Sequence, residues 1–247
     1  MITWGSFGFV HMMTFLAAIV LILGLYLVLR RCSPRVQILV LGLLSFSGIG
    51  AIIFNLVTWG SPVEYLPLHL CSLTAMALPI AVFTRSRRLC NLLLLWSLGA
   101  IMAIVVNTAQ ADYELLSWTF FFYYFPHVTQ FGIPILLFRL GLAKKDVRCI
   151  GSTLGITGTA YTLVHLCNVL INNHLDDIGS VIRVNYMYSI TPPNPVLEMF
   201  WQLIPHSYWY MLLTLPIILV YLAAIYAPEL RRMHLFRRVR RYLTPLF

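Results

Sequence analysis

Seven long apolar stretches separated by short gaps, with sixteen of the seventeen Lys and Arg residues gathered in every second gap, constrain this chain more than any other feature. About 20 predominantly apolar residues match the hydrocarbon thickness of a bilayer. Such stretches occur at 9–29, 36–57, 67–84, 89–107, 118–138, 149–171 and 208–226. They predict an all-α polytopic membrane protein with seven transmembrane helices. Short loops rich in Lys and Arg stay cytoplasmic. Arg30, Arg31 and Arg35 follow the first stretch, Arg85, Arg87 and Arg88 the third, Arg139, Lys144, Lys145 and Arg148 the fifth, and six arginines from Arg231 to Arg241 the seventh. The other gaps hold only Arg183, beside Glu64, Asp112, Glu114, Asp176, Asp177 and Glu198. The expectation is an N-terminus outside and a cytoplasmic C-terminus, in a plasma membrane of the bacterial inner-membrane type.

With 60% hydrophobic and 10% charged residues among 247, the stretches consume nearly the whole chain and leave no soluble domain of useful size. The sequence divides into a seven-span domain, 1–227, and a basic tail, 228–247. The net charge of +9 comes from inner loops and tail, which points to anionic lipid headgroups at the cytoplasmic face and not to nucleic acid. Membrane lipids are the expected partners, and no protein partner is indicated. The first stretch is too long for a signal-peptide core and lacks a basic leader, so it reads as a retained span. In the tail, Leu230, Met233, Phe236, Val239 and Leu243 recur at three- and four-residue steps, the stripe of a helix lying in the headgroup region. The long gap 172–207 is too apolar for a solvated linker and is expected to dip into the interface or lid a cavity.

Cys32, Cys90 and Cys149 fall at inner helix ends and none has a paired metal-ligand spacing, so neither a metal nor another cofactor is expected. Cys71 and Cys167 fall in the outer half, where a disulfide between them is a minority reading that would remove the free thiol. Polar side chains inside spans are expensive and tend to face the bundle interior. His69 and Cys71 begin the third stretch, Asn107 and Gln110 end the fourth, His127 and Gln130 lie in the fifth, and His165, Cys167, Asn168 and Asn172 end the sixth. Four helices thus deliver imidazoles, amides and two thiols to one depth, and the inner half holds nothing comparable. Singly, each has a plainer reading: Asn55, Asn91 and Asn107 as interhelical glue, and His11 as a satisfied interhelical histidine.

A thiol attacks as thiolate, so it needs a base or a positive neighbour. On a regular helix His69 and Cys71 point about 200° apart, so the base for Cys71 is expected from another helix, His127 first and His165 second. Asn107, Gln110 or Gln130 would then donate to an oxyanion. This chemistry suits acyl transfer on a lipid ester.

The stretch Pro67-Leu68-His69-Leu70-Cys71, the Phe125-Pro126-His127 run, the pair Asn185-Tyr186 and the Trp209-Tyr210 opening of the last span resemble the YwaF-type bacterial integral membrane family over roughly residues 10–226. That family is related to eukaryotic transmembrane acyltransferases that remodel ether phospholipids, and more distantly to androgen-induced-gene-type fatty-ester hydrolases. The resemblance implies a nucleophile at Cys71 with His69 or His127 as partner, and substrate contacts from Asn185 and Tyr186 beside those of Asn107, Gln110, Gln130, His165 and Asn168. The chain departs from the family pattern at Thr191-Pro192-Pro193 and at His206-Ser207-Tyr208-Trp209-Tyr210. Residues and resemblance together predict a lipid-directed acyltransferase or hydrolase. The competing readings are a small-solute transporter or channel and a non-catalytic receptor or assembly factor. A retinal protein is disfavoured, since Lys144 and Lys145, the only lysines, lie in a loop.

Overall fold

A computed structural model describes the backbone of residues 3–5, 7–106 and 113–243, with side chains as far as Arg232. Asn107 and Gln110, and the side chains of Met233, Phe236, Val239 and Leu243, lie outside the described residues. The helices are α1 Phe9–Leu29, α2 Pro34–Ser45, α3 Ser47–Thr58, α4 Leu70–Thr84, α5 Arg87–Val105, α6 Trp118–Arg139, α7 Cys149–Asp177, α8 Pro195–Leu203 and α9 Leu215–Leu243. Short 3-10 segments occur at Pro62–Tyr65, Tyr186–Tyr188 and Trp209–Thr214. Among the described residues five segments are long and apolar enough to cross a membrane: Phe9–Leu29, Pro34–Thr58, Arg87–Val105, Cys149–Asp177 and Trp209–Arg232. The chain is a helical membrane protein, and its outer surface carries the apolar side chains that lipid requires, such as Leu16, Val20, Leu23 and Val28 along α1.

α5 and α6 form the centre, with α4 packed on both, α3 on α4 and α6, and α7 on α5. The main core lies towards the arginine-bearing end, where Leu41, Leu78, Leu93, Ile133, Leu137 and Tyr226 meet. At the opposite end a short ribbon of Thr3–Trp4 (β1) and Tyr113–Glu114 (β2) pairs antiparallel and inserts Trp4 between α1 and α6. The Trp4 indole donates to Thr14 Oγ1 at 2.7 Å and sits edge-on to Phe120. His11 is buried here: Phe7 N–H donates to its Nδ1 and its Nε2 donates to the Ile104 carbonyl, the satisfied interhelical histidine of the plain reading.

Three differences from the apolar pattern have local causes. The second stretch breaks at Phe46, because Ser45 Oγ donates back to the Gly42 carbonyl and the Phe46 amide shifts to the Leu43 carbonyl, loosening the helix there. The third stretch is helical only from Leu70; Pro67, Leu68 and His69 lie outside the helix, so Pro67 is not the helix opener that its position suggests. Fifteen residues make α4 about 22 Å long, short of a bilayer core of about 30 Å. The sixth continues to Asp177, where Gly179 at φ 70° closes it with Ser180 N–H donating to Leu175 O. α9 runs on through Pro228 into the basic tail.

α3 reaches the α4–α6 seam because Gly48 has no side chain: a Cβ there would stand 2.6 Å from the Ala75 Cβ and 3.0 Å from Gln130 Nε2. Gly48→Ala should therefore cost about 1–3 kcal/mol. Gly50→Ala, whose Cβ would meet only a Phe122 ring atom at 3.8 Å, should be neutral or slightly stabilising. Thermal unfolding of both variants in one detergent checks the contrast.

Candidate functional site

The site is built on the α4–α6 seam at the end opposite the arginine-bearing loops. Cys71 is the second residue of α4 and Ala75 lies one turn below it on the same face; Gln130 lies beside Ala75, and His127 is one turn from Gln130 on α6. His69 stands before the helix with extended backbone, φ −72° and ψ 154°. That frees it from the opposed directions a continuous helix would impose on His69 and Cys71. His69 and His127 lie within electrostatic range of each other, and Cys71 within range of Tyr123 and Tyr188. All five cysteines are free thiols, so no bridge joins Cys71 to Cys167.

Backbone groups assign the two imidazoles opposite tautomers. His127 Nδ1 is 2.6 Å from the Tyr123 carbonyl, which can only accept, so Nδ1 carries the proton and Nε2 presents a lone pair. The Tyr123 ring covers the imidazole at 4.5 Å between centroids. His69 Nδ1 receives the Met187 amide hydrogen at 3.3 Å, so its proton sits on Nε2. One histidine of the seam is thereby set as acceptor and the other as donor. One turn below, Gln130 is 3% exposed and its Oε1 is buried without a partner, an orphan acceptor in the seam.

The Met187 amide is aimed by a clamp. Met187 and Tyr188 adopt φ of 50° and 56°, the left-handed region that costs a non-glycine residue about 1 kcal/mol or more. Asn168 on α7, fully buried, holds them there: its Nδ2 donates to the Tyr186 carbonyl at 2.8 Å and to Ser189 Oγ at 2.9 Å, and its Oδ1 accepts from Tyr186 N–H at 3.0 Å. Asn172, one turn on, bonds both backbone groups of Val184. Tyr210 donates to the Tyr188 carbonyl, and Tyr208 N–H to the Ser189 carbonyl at 2.7 Å. Tyr186 is buried with its ring edge-on to His69 at 5.4 Å, and Tyr188 lies at 5.5 Å from the same imidazole. The long loop therefore covers the seam.

His165 is not on the seam. Its Nδ1 is 3.0 Å from Ser189 Oγ, the same oxygen that accepts from Asn168. Asn185 turns its own loop, with Nδ2 to Thr191 O at 2.7 Å and Oδ1 from Ile190 N–H at 3.0 Å. The structure thus brings together Cys71, His69, His127 and Gln130, joins Asn168 and Tyr186 to them through the loop, and sets His165 and Asn185 apart. Sequence reasoning missed Ser189, Tyr123 and the Met187 amide. Two of these act through backbone atoms, which no side-chain pattern reports, and Ser189 is one serine in a loop. Among the described residues no three His, Cys, Asp or Glu side chains converge as a metal site would require.

Asn168→Ala would strand both backbone groups of Tyr186 and leave Ser189 with His165 alone, so it should destabilise the protein by about 2–4 kcal/mol. Amide exchange at residues 184–191 should accelerate about ten-fold or more while α5 is unchanged, as hydrogen exchange with mass detection would read.

No curated protein and no solved structure matches the chain. The model of the TMEM164 family matches residues 6–226, nearly the whole of it. The chain belongs to the TMEM164 family, a family of transmembrane proteins.

Proposed function

We propose that this protein is an integral membrane enzyme that transfers or hydrolyses acyl groups of lipid esters through an acyl-Cys71 intermediate. The carrying observation is the pair of opposite tautomers imposed on His127 and His69 beside a free thiol. Cys71 gives its proton to His127 Nε2, and the thiolate adds to the ester carbonyl carbon. His69 Nε2–H donates to the oxyanion. Collapse of the tetrahedral adduct breaks the carbon–oxygen ester bond; the departing alkoxide takes the proton from His127, leaving a thioester. An acceptor hydroxyl, or water, gives its proton to His127, attacks the thioester and releases the thiolate. When water is the acceptor, its second O–H can donate to Gln130 Oε1, which is buried without a partner.

In this reading seven spans cross a plasma membrane, of bacterial inner-membrane type, with the N-terminus outside. α4 and α6 count as spans beside the five long ones, and the seam opens to the outer leaflet, where lipid ester carbonyls lie. Membrane lipids are substrate and surroundings, and the kinship to YwaF-type proteins and ether-phospholipid acyltransferases fits the same chemistry. A transporter gains less support, because the buried polar groups of the other half are engaged locally: Asn91 with the Arg87 and Lys144 carbonyls, Ser97 with Leu94 O, and Tyr221 with the same carbonyl.

Purified protein with a phospholipid labelled in its acyl chain should yield a hydroxylamine-sensitive adduct on Cys71, located by peptide mass. Cys71→Ala should abolish turnover, and His127→Ala should lower it by about 10²–10⁴. Full turnover in folded Cys71→Ala would reject the nucleophile.

A further inference from the structure

A cleft of about 540 Å³ opens at the arginine-bearing end, lined by Arg87, Arg88, Asp146, Arg148, Cys149 and Ser152. It lies where the first turn of α5 meets the first turn of α7, so the positive ends of two long helices converge on it. Neither helix has a side-chain N-cap bond. Asp146 is the one acid in the lining, and it is already engaged: the Arg148 amide donates to Oδ1 at 2.9 Å and Arg87 to Oδ2 at 2.7 Å, holding its carboxyl below the usual carboxylate range. Arg88 and Arg148 are exposed and form no ion pair among the described residues. The other nearby pair, Lys145 with Glu229, closes on itself at 3.2 Å. The cleft therefore keeps two uncompensated guanidinium groups.

Orientation of a membrane protein needs only that arginines be present in a loop; it gives no reason for a rigid floor beneath them. Here there is one. Asn91, fully buried, donates to the Arg87 and Lys144 carbonyls, and its Oδ1 accepts from the Asp146 amide and from the Tyr226 hydroxyl. One side chain thus fixes the start of α5, the 144–146 loop and α9 relative to one another. Arg87 is paired with Asp146.

We propose that this cleft binds a phosphate group, with Arg88 and Arg148 as its principal ligands and the α7 helix start behind them. Guanidinium forks match phosphate oxygens in pairs. The phosphate belongs either to an anionic lipid headgroup or to a soluble phosphate compound. The site lies at the other end of the bundle from the Cys71 seam and stands independently of the catalytic reading.

The test uses the full chain in neutral detergent, following the thermal unfolding midpoint in two titrations. One adds phosphatidylglycerol to the micelles, with phosphatidylcholine as control, and the other adds inorganic phosphate at constant ionic strength. A saturable rise with phosphatidylglycerol and not with phosphatidylcholine identifies a lipid site; a rise with inorganic phosphate identifies a soluble one. In either arm Arg88→Gln with Arg148→Gln should weaken the apparent affinity about ten-fold or more. Arg231→Gln with Arg232→Gln, which removes equal charge outside the cleft, should weaken it far less. If the Gln pair fails to fold, Arg88→Lys with Arg148→Lys keeps the charge, loses the fork and should still weaken binding measurably. The proposal is overturned by no saturable rise with either probe, by equal effects of the two lipids, by either cleft variant titrating as the wild type does, or by equal losses in the Arg231/Arg232 variant.

Discussion

A backbone amide or carbonyl without a partner costs several kcal/mol in an apolar medium, and that penalty governs the segment from Val184 to Ser189. This segment is not α-helical, its one regular piece being the 3-10 turn at Tyr186–Tyr188, so it cannot satisfy its own groups by the i to i−4 ladder. Asn168 and Asn172 stand in for the ladder, bonding Tyr186 and Val184 through both N–H and C=O. Remove that substitution and the left-handed Met187 and Tyr188 keep only the tethers from Tyr208 and Tyr210, which loosens the amide that fixes the His69 proton and the cover of the seam. Loop, tautomer and site are three consequences of two asparagines one turn apart on α7.

The same economy appears at the arginine-bearing end. Asn91 spends its amide on two carbonyls of different segments and its carbonyl on an amide and a phenol. In both places an asparagine is the knot because it alone among short side chains both donates and accepts in one plane. Buried amides of this chain are thus fasteners of irregular backbone, a stronger role than glue between regular helices. Gln130 is the exception, with its buried side-chain oxygen unpaired among the described residues.

The apolar stretches were legible because hydrophobic length is a property of composition: 9–29 coincides with α1, and 118–138 with α6 to within one residue. The late start of α4 was not, since Pro67 reads equally well as a helix opener or as the last turn before one. That difference moved His69 off the helix and changed what it can face. The break at Phe46 depends on one serine hydroxyl bonding backward, which periodicity does not register. Histidine and cysteine positions signalled a shared depth, but only the fold separates the two imidazoles: His127 lies on the seam, whereas His165 is turned to Ser189. Asn107 and Gln110 fall outside the described residues.

The pairing of Cys71 with His127 is open to a direct chemical measurement. In protein whose other four cysteines are replaced by serine or alanine, the rate at which Cys71 is alkylated by a membrane-permeant maleimide reports the thiolate that its neighbour generates. The account predicts that His127→Ala slows alkylation about ten-fold or more at neutral pH, while His165→Ala leaves it unchanged. Equal rates in wild-type and His127→Ala protein, both folded, would contradict it.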